Sequence, residues 1–192
     1  MIEICKTPIE GVVTLRPELF EDERGYFFES FRKSELDRAT GFSTDFVQDN
    51  QSCSSYGVIR GLHYQKGDLA QAKLVRVLSG RVLDVAVDIR RGSPTFGRHV
   101  AVELSQENRL QLFIPRGFAH GFAVLSPQAV FAYKCDNYYA PQAQAGIAFD
   151  DPALDIDWRI PAEDIVLSEK DRRNPRLEQF SAEAENDLPR YR

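Results

Sequence analysis

The sequence predicts an all-β protein, a sandwich or barrel of jelly-roll type with short peripheral helices. Three observations carry that reading. Apolar and polar residues alternate over many short segments, turn residues separate these segments at regular spacing, and helical periodicity is confined to two brief stretches. The clearest alternation runs over 81–89, where Leu83, Val85, Val87 and Ile89 form one apolar face and Asp84 and Asp88 occupy the other. Such a segment is expected to be a strand covered on one side. Segment 99–104 repeats the pattern, with Val100, Val102 and Leu104 inward and His99 and Glu103 outward.

In chain order, further strands are expected over 11–15, 26–31, 46–48, 59–64, 74–78, 110–114, 121–125 and 130–135. Turn signals separate them at Ser79-Gly80, Arg91-Gly92-Ser93-Pro94, Ser105-Gln106-Glu107-Asn108 and Ser126-Pro127. Only 34–39, stopped by Gly41, and the stretch after Ser168 have helical character. No internal repeat is visible. The 192 residues fit a single domain over 1–180, followed by a polar C-terminal tail over 181–192. A chain of this length buries roughly 70 % of its unfolded surface and needs no metal or disulfide staple to fold.

Charge narrows the function classes. Lys and Arg total 24 against 29 Asp and Glu, a formal charge of −5, which argues against nucleic acid as a partner. No apolar run approaches the ~18 residues of a membrane span, and the N-terminal segment lacks a signal-peptide core, so a cytoplasmic protein away from membranes is expected. The three cysteines, Cys5, Cys53 and Cys135, are odd in number and show no CxxC spacing. They are expected to be reduced, mostly buried thiols rather than a disulfide framework or a zinc ribbon.

Three histidines could carry chemistry. His99 lies on the polar face of its strand, where a solvated imidazole is expected. His63 lies within Arg60-Gly61-Leu62-His63-Tyr64, and His120 follows the turn Ile114-Pro115-Arg116-Gly117-Phe118-Ala119. The Pro-x-Gly-x-x-His spacing of that turn resembles the second motif of the cupin jelly rolls. Metal-binding cupins carry a His-x-His pair and a Glu in their first motif, whereas here His63 is followed by Tyr64-Gln65. Two histidines without that pair make a poor divalent-metal site, so no metal is expected.

A histidine base needs a carboxylate to orient its other nitrogen. Asp171 is a candidate, although Ser168-x-x-Asp171 also reads as the capping box of a short helix. Tyr133, Tyr138 and Tyr139 fall within seven positions. They could be core aromatics, a proton donor at a barrel mouth, or a stacking platform. Arg24, Arg60 and Lys73 neighbour glycine or small residues, and in one mouth they would hold a diphosphate through charge-assisted bonds.

Taken together, the segments resemble the dTDP-4-dehydrorhamnose 3,5-epimerases, a family of the cupin superfamily. The matching pieces are Asp22-Glu23-Arg24-Gly25-Tyr26-Phe27 with Glu29, Phe46-Val47-Gln48-Asp49-Asn50, and Val58-Ile59-Arg60-Gly61-Leu62-His63-Tyr64-Gln65. They continue with Lys73-Leu74-Val75, Val85-Ala86-Val87-Asp88-Ile89-Arg90, the 114–122 segment around His120, and Asn137-Tyr138-Tyr139-Ala140-Pro141. The resemblance covers about residues 1–177.

The resemblance implies a cofactor-free, metal-free enzyme that inverts C3 and C5 of dTDP-4-dehydro-6-deoxy-D-glucose in dTDP-L-rhamnose biosynthesis. It assigns His63 as base with Asp171 as its partner, Tyr133 as acid from the opposite face, and Lys73 at the enolate oxygen. Arg24, Arg60 and His120 would contact the diphosphate and sugar. Glu29, Gln48, Asp49 and Asn50 would join the nucleotide pocket, Tyr139 would stack on thymine, and Glu169 would be a further contact. It also implies a homodimer with exchanged strands. An epimerase of a single centre, acting on another dTDP-4-keto-deoxysugar, is the alternative. One local conflict stands: strict alternation from Arg60 sends His63 to the opposite face of its strand. A twist or bulge at Gly61 is therefore expected.

Overall fold

The computed structural model describes residues 2–179. The tail expected over 181–192 lies outside the described residues. The strands are β1 (Ile2–Lys6), β2 (Val13–Pro17), β3 (Phe20–Asp22), β4 (Gly25–Phe27), β5 (Gln48–Ser55), β6 (Ile59–Gln65) and β7 (Lys73–Ser79). They continue as β8 (Arg81–Asp88), β9 (His99–Ser105), β10 (Gln111–Ile114), β11 (Phe118–Val124), β12 (Gln128–Cys135) and β13 (Gln144–Gly146). The helix α1 (Lys33–Thr40) closes on Gly41, whose φ of +74° suits glycine.

Two antiparallel sheets form the sandwich, in the orders β1-β2-β10-β7-β12-β5 and β13-β6-β11-β8-β9. The hairpin β3–β4 stands apart as a third sheet. One apolar cluster draws on both main sheets, with Val75, Val77 and Phe131 of the first meeting Val82, Phe122 and Val124 of the second. Leu62, Leu83, Val85 and Val87 pack on the other side of the second sheet, against Ile147, Leu154, Trp158 and Leu177 of the C-terminal segment. Leu36 of α1 covers Val13, Leu15 and Phe113 of the first sheet. Apolar burial on three levels is the main stabilising contribution.

Several expectations are corrected. The strand over 81–89 is buried on both faces, because its second face is the inner face of the sandwich rather than a wet one. Asp84 and Asp88 are both 0 % exposed. Buried carboxylates survive only with partners, and Asp88 accepts from Arg90 Nη2 at 2.8 Å, Ser93 Oγ at 2.6 Å and Thr95 Oγ1 at 2.6 Å. The strand expected over 26–31 ends at Phe27, and the one expected over 46–48 begins at Gln48 and runs to Ser55. The stretch after Ser168 forms only two 3-10 turns, Asp171–Arg173 and Leu177–Gln179. Of the cysteines Cys135 alone is buried, since Cys5 and Cys53 lie on strands whose side chains there meet solvent.

The bulge at Gly61 is present. His63 pairs with His120 and Arg60 with Phe122, so three steps along β6 face two along β11. A Cβ on Gly61 would stand 2.5 Å from Gly121 Cα, and one on Gly121 would stand 2.8 Å from the Arg60 carbonyl oxygen. Two facing glycines thus allow the backbones to touch, and the extra residue turns Arg60 and His63 to the same cavity.

Candidate active site

A cavity of about 590 Å³ opens between the sheets. The second sheet lends it Arg60, His63 and His120, the first lends Asn50, Lys73 and Tyr133, and the segment after the last strand lends Asp171. That segment is fastened across the mouth by backbone bonds. Ile59 N–H donates to the Val166 carbonyl at 3.0 Å, and Val166 N–H donates to the Gly57 carbonyl at 2.9 Å.

His63 Nε2 and Asp171 Oδ1 lie 2.5 Å apart, with Asp171 5 % exposed. Both readings of Asp171 hold in part. Its backbone N–H donates to Ser168 Oγ at 3.1 Å, as a cap requires, while its carboxylate turns to the imidazole. Burial opposes ionisation of Asp171, but the hydrogen bond and charge of His63, with help from Ser168 and the Gly61 backbone, hold its pKa below the usual carboxylate value.

Tyr133 enters from β12, in the sheet opposite the one that carries His63. Burial raises the pKa of its hydroxyl, which therefore keeps its proton at neutral pH. Lys73 Nζ lies 5.9 Å from the Tyr133 ring centre. Desolvation pulls its pKa down, opposed by the nearby Cys135 and Asp84. Burial raises the neighbouring Cys135 thiol to about 11. His120 Nε2 lies 2.9 and 3.1 Å from the two carboxylate oxygens of Asp84.

An adjoining cavity of about 280 Å³ shares His63, Lys73 and Tyr133 and adds Gln48, Tyr139 and Gln144. Tyr139 N–H donates to Gln48 Oε1 at 2.8 Å, and Gln48 Nε2 donates to Asn50 Oδ1 at 2.9 Å. Gln144 Oε1 accepts from both the Tyr139 hydroxyl and Lys170 Nζ, each at 2.6 Å. Arg60 Nε donates to Ser54 Oγ at 3.1 Å.

Four residues named from the sequence line neither cavity, and Gln48 and Tyr139 line only the adjoining one. Asp49 points away from the central cavity and pairs with Lys134 Nζ at 2.9 Å. Arg24 sits on the β3–β4 hairpin, 85 % exposed and paired with Asp22, and Glu29 pairs with Arg32 at 2.6 Å. Glu169 is 80 % exposed and faces Arg173 at 3.6 Å, because the 3-10 turn directs Lys170 and Asp171 inward instead. The sequence reading passed over Asp84, Gln144 and Lys170. A carboxylate inside the apolar run Val82-Leu83-Asp84-Val85 was the available signal for Asp84, whereas Gln144 and Lys170 gave none. Among the described residues no group of three or more His, Cys, Asp or Glu side chains is arranged to hold a metal ion.

A cupin-type jelly roll whose cavity brings together a histidine–carboxylate pair, a tyrosine and a partly buried lysine fits the class of acid–base isomerases. The family model described as dTDP-4-dehydrorhamnose 3,5-epimerase matches residues 6–179, and the chain belongs to that family. It is 50 % identical to the dTDP-4-dehydrorhamnose 3,5-epimerase of Salmonella typhimurium over 182 residues, covering 93 % of this chain and 97 % of that protein. It is 52 % identical to the Pseudomonas aeruginosa enzyme of the same name over 172 residues, covering 89 % and 93 %. The Legionella pneumophila epimerase, solved with dTDP-4-keto-L-rhamnose, superimposes with a TM-score of 0.94 at 49 % identity, covering 100 % of both chains. A 3'-monoepimerase of Streptomyces bikiniensis, solved with dTDP-quinovose, gives a TM-score of 0.88 at 33 % identity over 96 % of this chain and 92 % of that one.

Proposed function

We propose that the chain inverts C3 and C5 of dTDP-4-dehydro-6-deoxy-D-glucose, giving dTDP-4-dehydro-L-rhamnose on the route to dTDP-L-rhamnose. The observation that carries this reading is the opposition of the His63–Asp171 pair to Tyr133 across one cavity. Both carbons flank the C4 ketone, so each C–H is acidic once the enolate is stabilised. His63 removes the proton, and the Asp171 carboxylate steadies the imidazolium that forms. Lys73 holds the developing enolate oxygen, a role worth roughly 3–4 kcal/mol for oxyanion-hole donors. Tyr133, protonated at neutral pH, returns a proton to the other face and so inverts the centre. Only protons move between these groups.

The ends of the substrate are assigned in the same reading. Arg60 contacts the diphosphate and His120 the sugar, and Gln48, Asn50 and Tyr139 receive the nucleotide. Lys170 takes the place given to Glu169. Arg24 and Glu29 are assigned to the cavity of a second copy, in a homodimer with exchanged strands. Three features support that exchange: β3–β4 is a separate hairpin, its Phe20, Tyr26 and Phe27 are 53, 61 and 69 % exposed, and β5 is an edge strand beside the cavity. A cytoplasmic location fits the free thiols of Cys5, Cys53 and Cys135. Among the described residues no helix is long and apolar enough to cross a membrane.

The test is incubation with dTDP-4-dehydro-6-deoxy-D-glucose in deuterated water, with product analysis by NMR. Deuterium at both C3 and C5 with inverted configuration is expected. Label and inversion at a single carbon would make it a single-centre epimerase, and an unlabelled, unchanged sugar would defeat the proposal.

A further inference from the structure

His120 has one nitrogen satisfied and one not. It lines the cavity yet is only 7 % exposed. Its Nε2 lies within hydrogen-bond reach of both oxygens of Asp84, which is itself 0 % exposed. Among the described residues, none hydrogen-bonds its Nδ1. With its ring on the cavity wall and no protein partner for Nδ1, His120 leaves that atom open to a group that arrives in the cavity.

We propose that Asp84 is a positioning residue that fixes the proton of His120 on Nε2, leaving Nδ1 as an acceptor for a hydroxyl group of the bound sugar. The carboxylate can only accept, so a neutral imidazole between it and the cavity must carry its proton on the Asp84 side. Burial lowers the pKa of His120; Asp84 opposes this, while Lys73 and His63 add to it. The neutral ring is thereby favoured near pH 7. A ketone and a diphosphate offer Nδ1 only lone pairs, and a sugar hydroxyl offers it a hydrogen. His120 therefore holds a ring hydroxyl and keeps the pyranose in register while C3 and C5 change hands. This assignment rests on the proposed sugar-nucleotide substrate, but the tautomer itself does not.

Nitrogen-15 NMR of the free enzyme tests the tautomer without any ligand. The chain has three histidines, so substitutions of His63 and His99 assign the signals. A protonated Nε2 and an unprotonated Nδ1 are expected for His120 near neutral pH. A proton on Nδ1, or on both nitrogens, overturns the proposal while leaving the epimerase reading untouched. Asp84→Asn can turn an amide N–H toward Nε2 and is expected to move the ring proton to Nδ1, as seen by the same spectrum.

Binding of dTDP-6-deoxyglucose is then compared with its 2-deoxy and 3-deoxy analogues. The wild type should lose about 10- to 100-fold in affinity for one analogue, the range set by an orphaned buried acceptor. Asp84→Asn should bind the parent compound as weakly as that analogue and no longer discriminate. If Asp84→Asn does not fold, the wild-type comparison decides alone: equal affinity for all three ligands overturns the assignment.

Discussion

Asp171 does two jobs with two different groups, and a single atom change separates them. Asp171→Asn keeps the backbone N–H that caps on Ser168 but removes the charge opposite His63. The turnover rate should fall on the order of 10³–10⁴-fold, the scale known for neutralising the carboxylate behind a catalytic histidine, while the urea midpoint moves little. A variant that loses stability and keeps its rate per folded molecule would leave Asp171 as a cap only. Tyr133→Phe probes the other face. With His63 and Lys73 intact the enolate still forms, so label from deuterated water should continue to enter while inversion falls steeply. The ratio of label to inversion is the measurement. Equal collapse of both would place Tyr133 in enolate formation.

At the level of strands, the cavity depends on one extra residue in β6. Gly61→Ala places a methyl 2.5 Å from Gly121 Cα at a φ of +140°. The expected cost is roughly 2–4 kcal/mol from strain and overpacking, with activity lost beyond the loss of folded protein because the turn of His63 toward the cavity depends on the bulge. Denaturant unfolding combined with rate per folded molecule checks both. The strands also show what a sequence reveals. The alternations over 81–89 and 99–104 announced their strands, and Gly61 announced its bulge through the conflict at His63. Most of β5, Gln48–Ser55, stayed hidden because Gln48, Asn50, Gln51 and Ser52 line cavities rather than core, and polarity of that kind reads as loop. The inner face of β8 was misread for a related reason: a carboxylate bound by Arg90 and a carboxylate bound by water look alike in a sequence. The roles of His63, Lys73 and Tyr133 came from family resemblance, since spacing alone left each with a bland alternative.

Across the whole molecule, two predictions concern assembly and acid. If Arg24 serves a neighbouring cavity, Arg24→Ala and His63→Ala chains, each inactive alone, should recover activity when mixed and allowed to exchange. At equal amounts half the dimers are mixed and each holds one complete site, so about a quarter of wild-type activity should return. No recovery, with exchange verified by mass spectrometry, would place Arg24 in its own chain's site or outside both. Acid should destabilise the fold through Asp88 and Asp171. Burial opposes ionisation of Asp88, but its bonds to Arg90, Ser93 and Thr95 outweigh that and keep its pKa low, as His63 does for Asp171. Folded-state values below the unfolded value of about 3.9 mean that the contribution is present above that pH and is lost as pH falls through the folded values. Asp88→Asn should lower stability at pH 7 by about 3 kcal/mol and flatten the acid limb of the stability curve.

The span between His63 and Asp171 has a consequence for synthesis. The base and its carboxylate are 108 positions apart, and the last strand ends at Gly146. A chain still emerging from the ribosome can therefore pair every strand of both sheets before its base has a partner. Docking of Val166 beside Ile59, and the turn that follows, is the step that brings Asp171 to His63. Loss of the chain beyond Pro161 would leave His63 without its carboxylate partner. Pairing of the sheets and completion of the His63–Asp171 contact are thus separable events, the second waiting on the segment that carries Asp171.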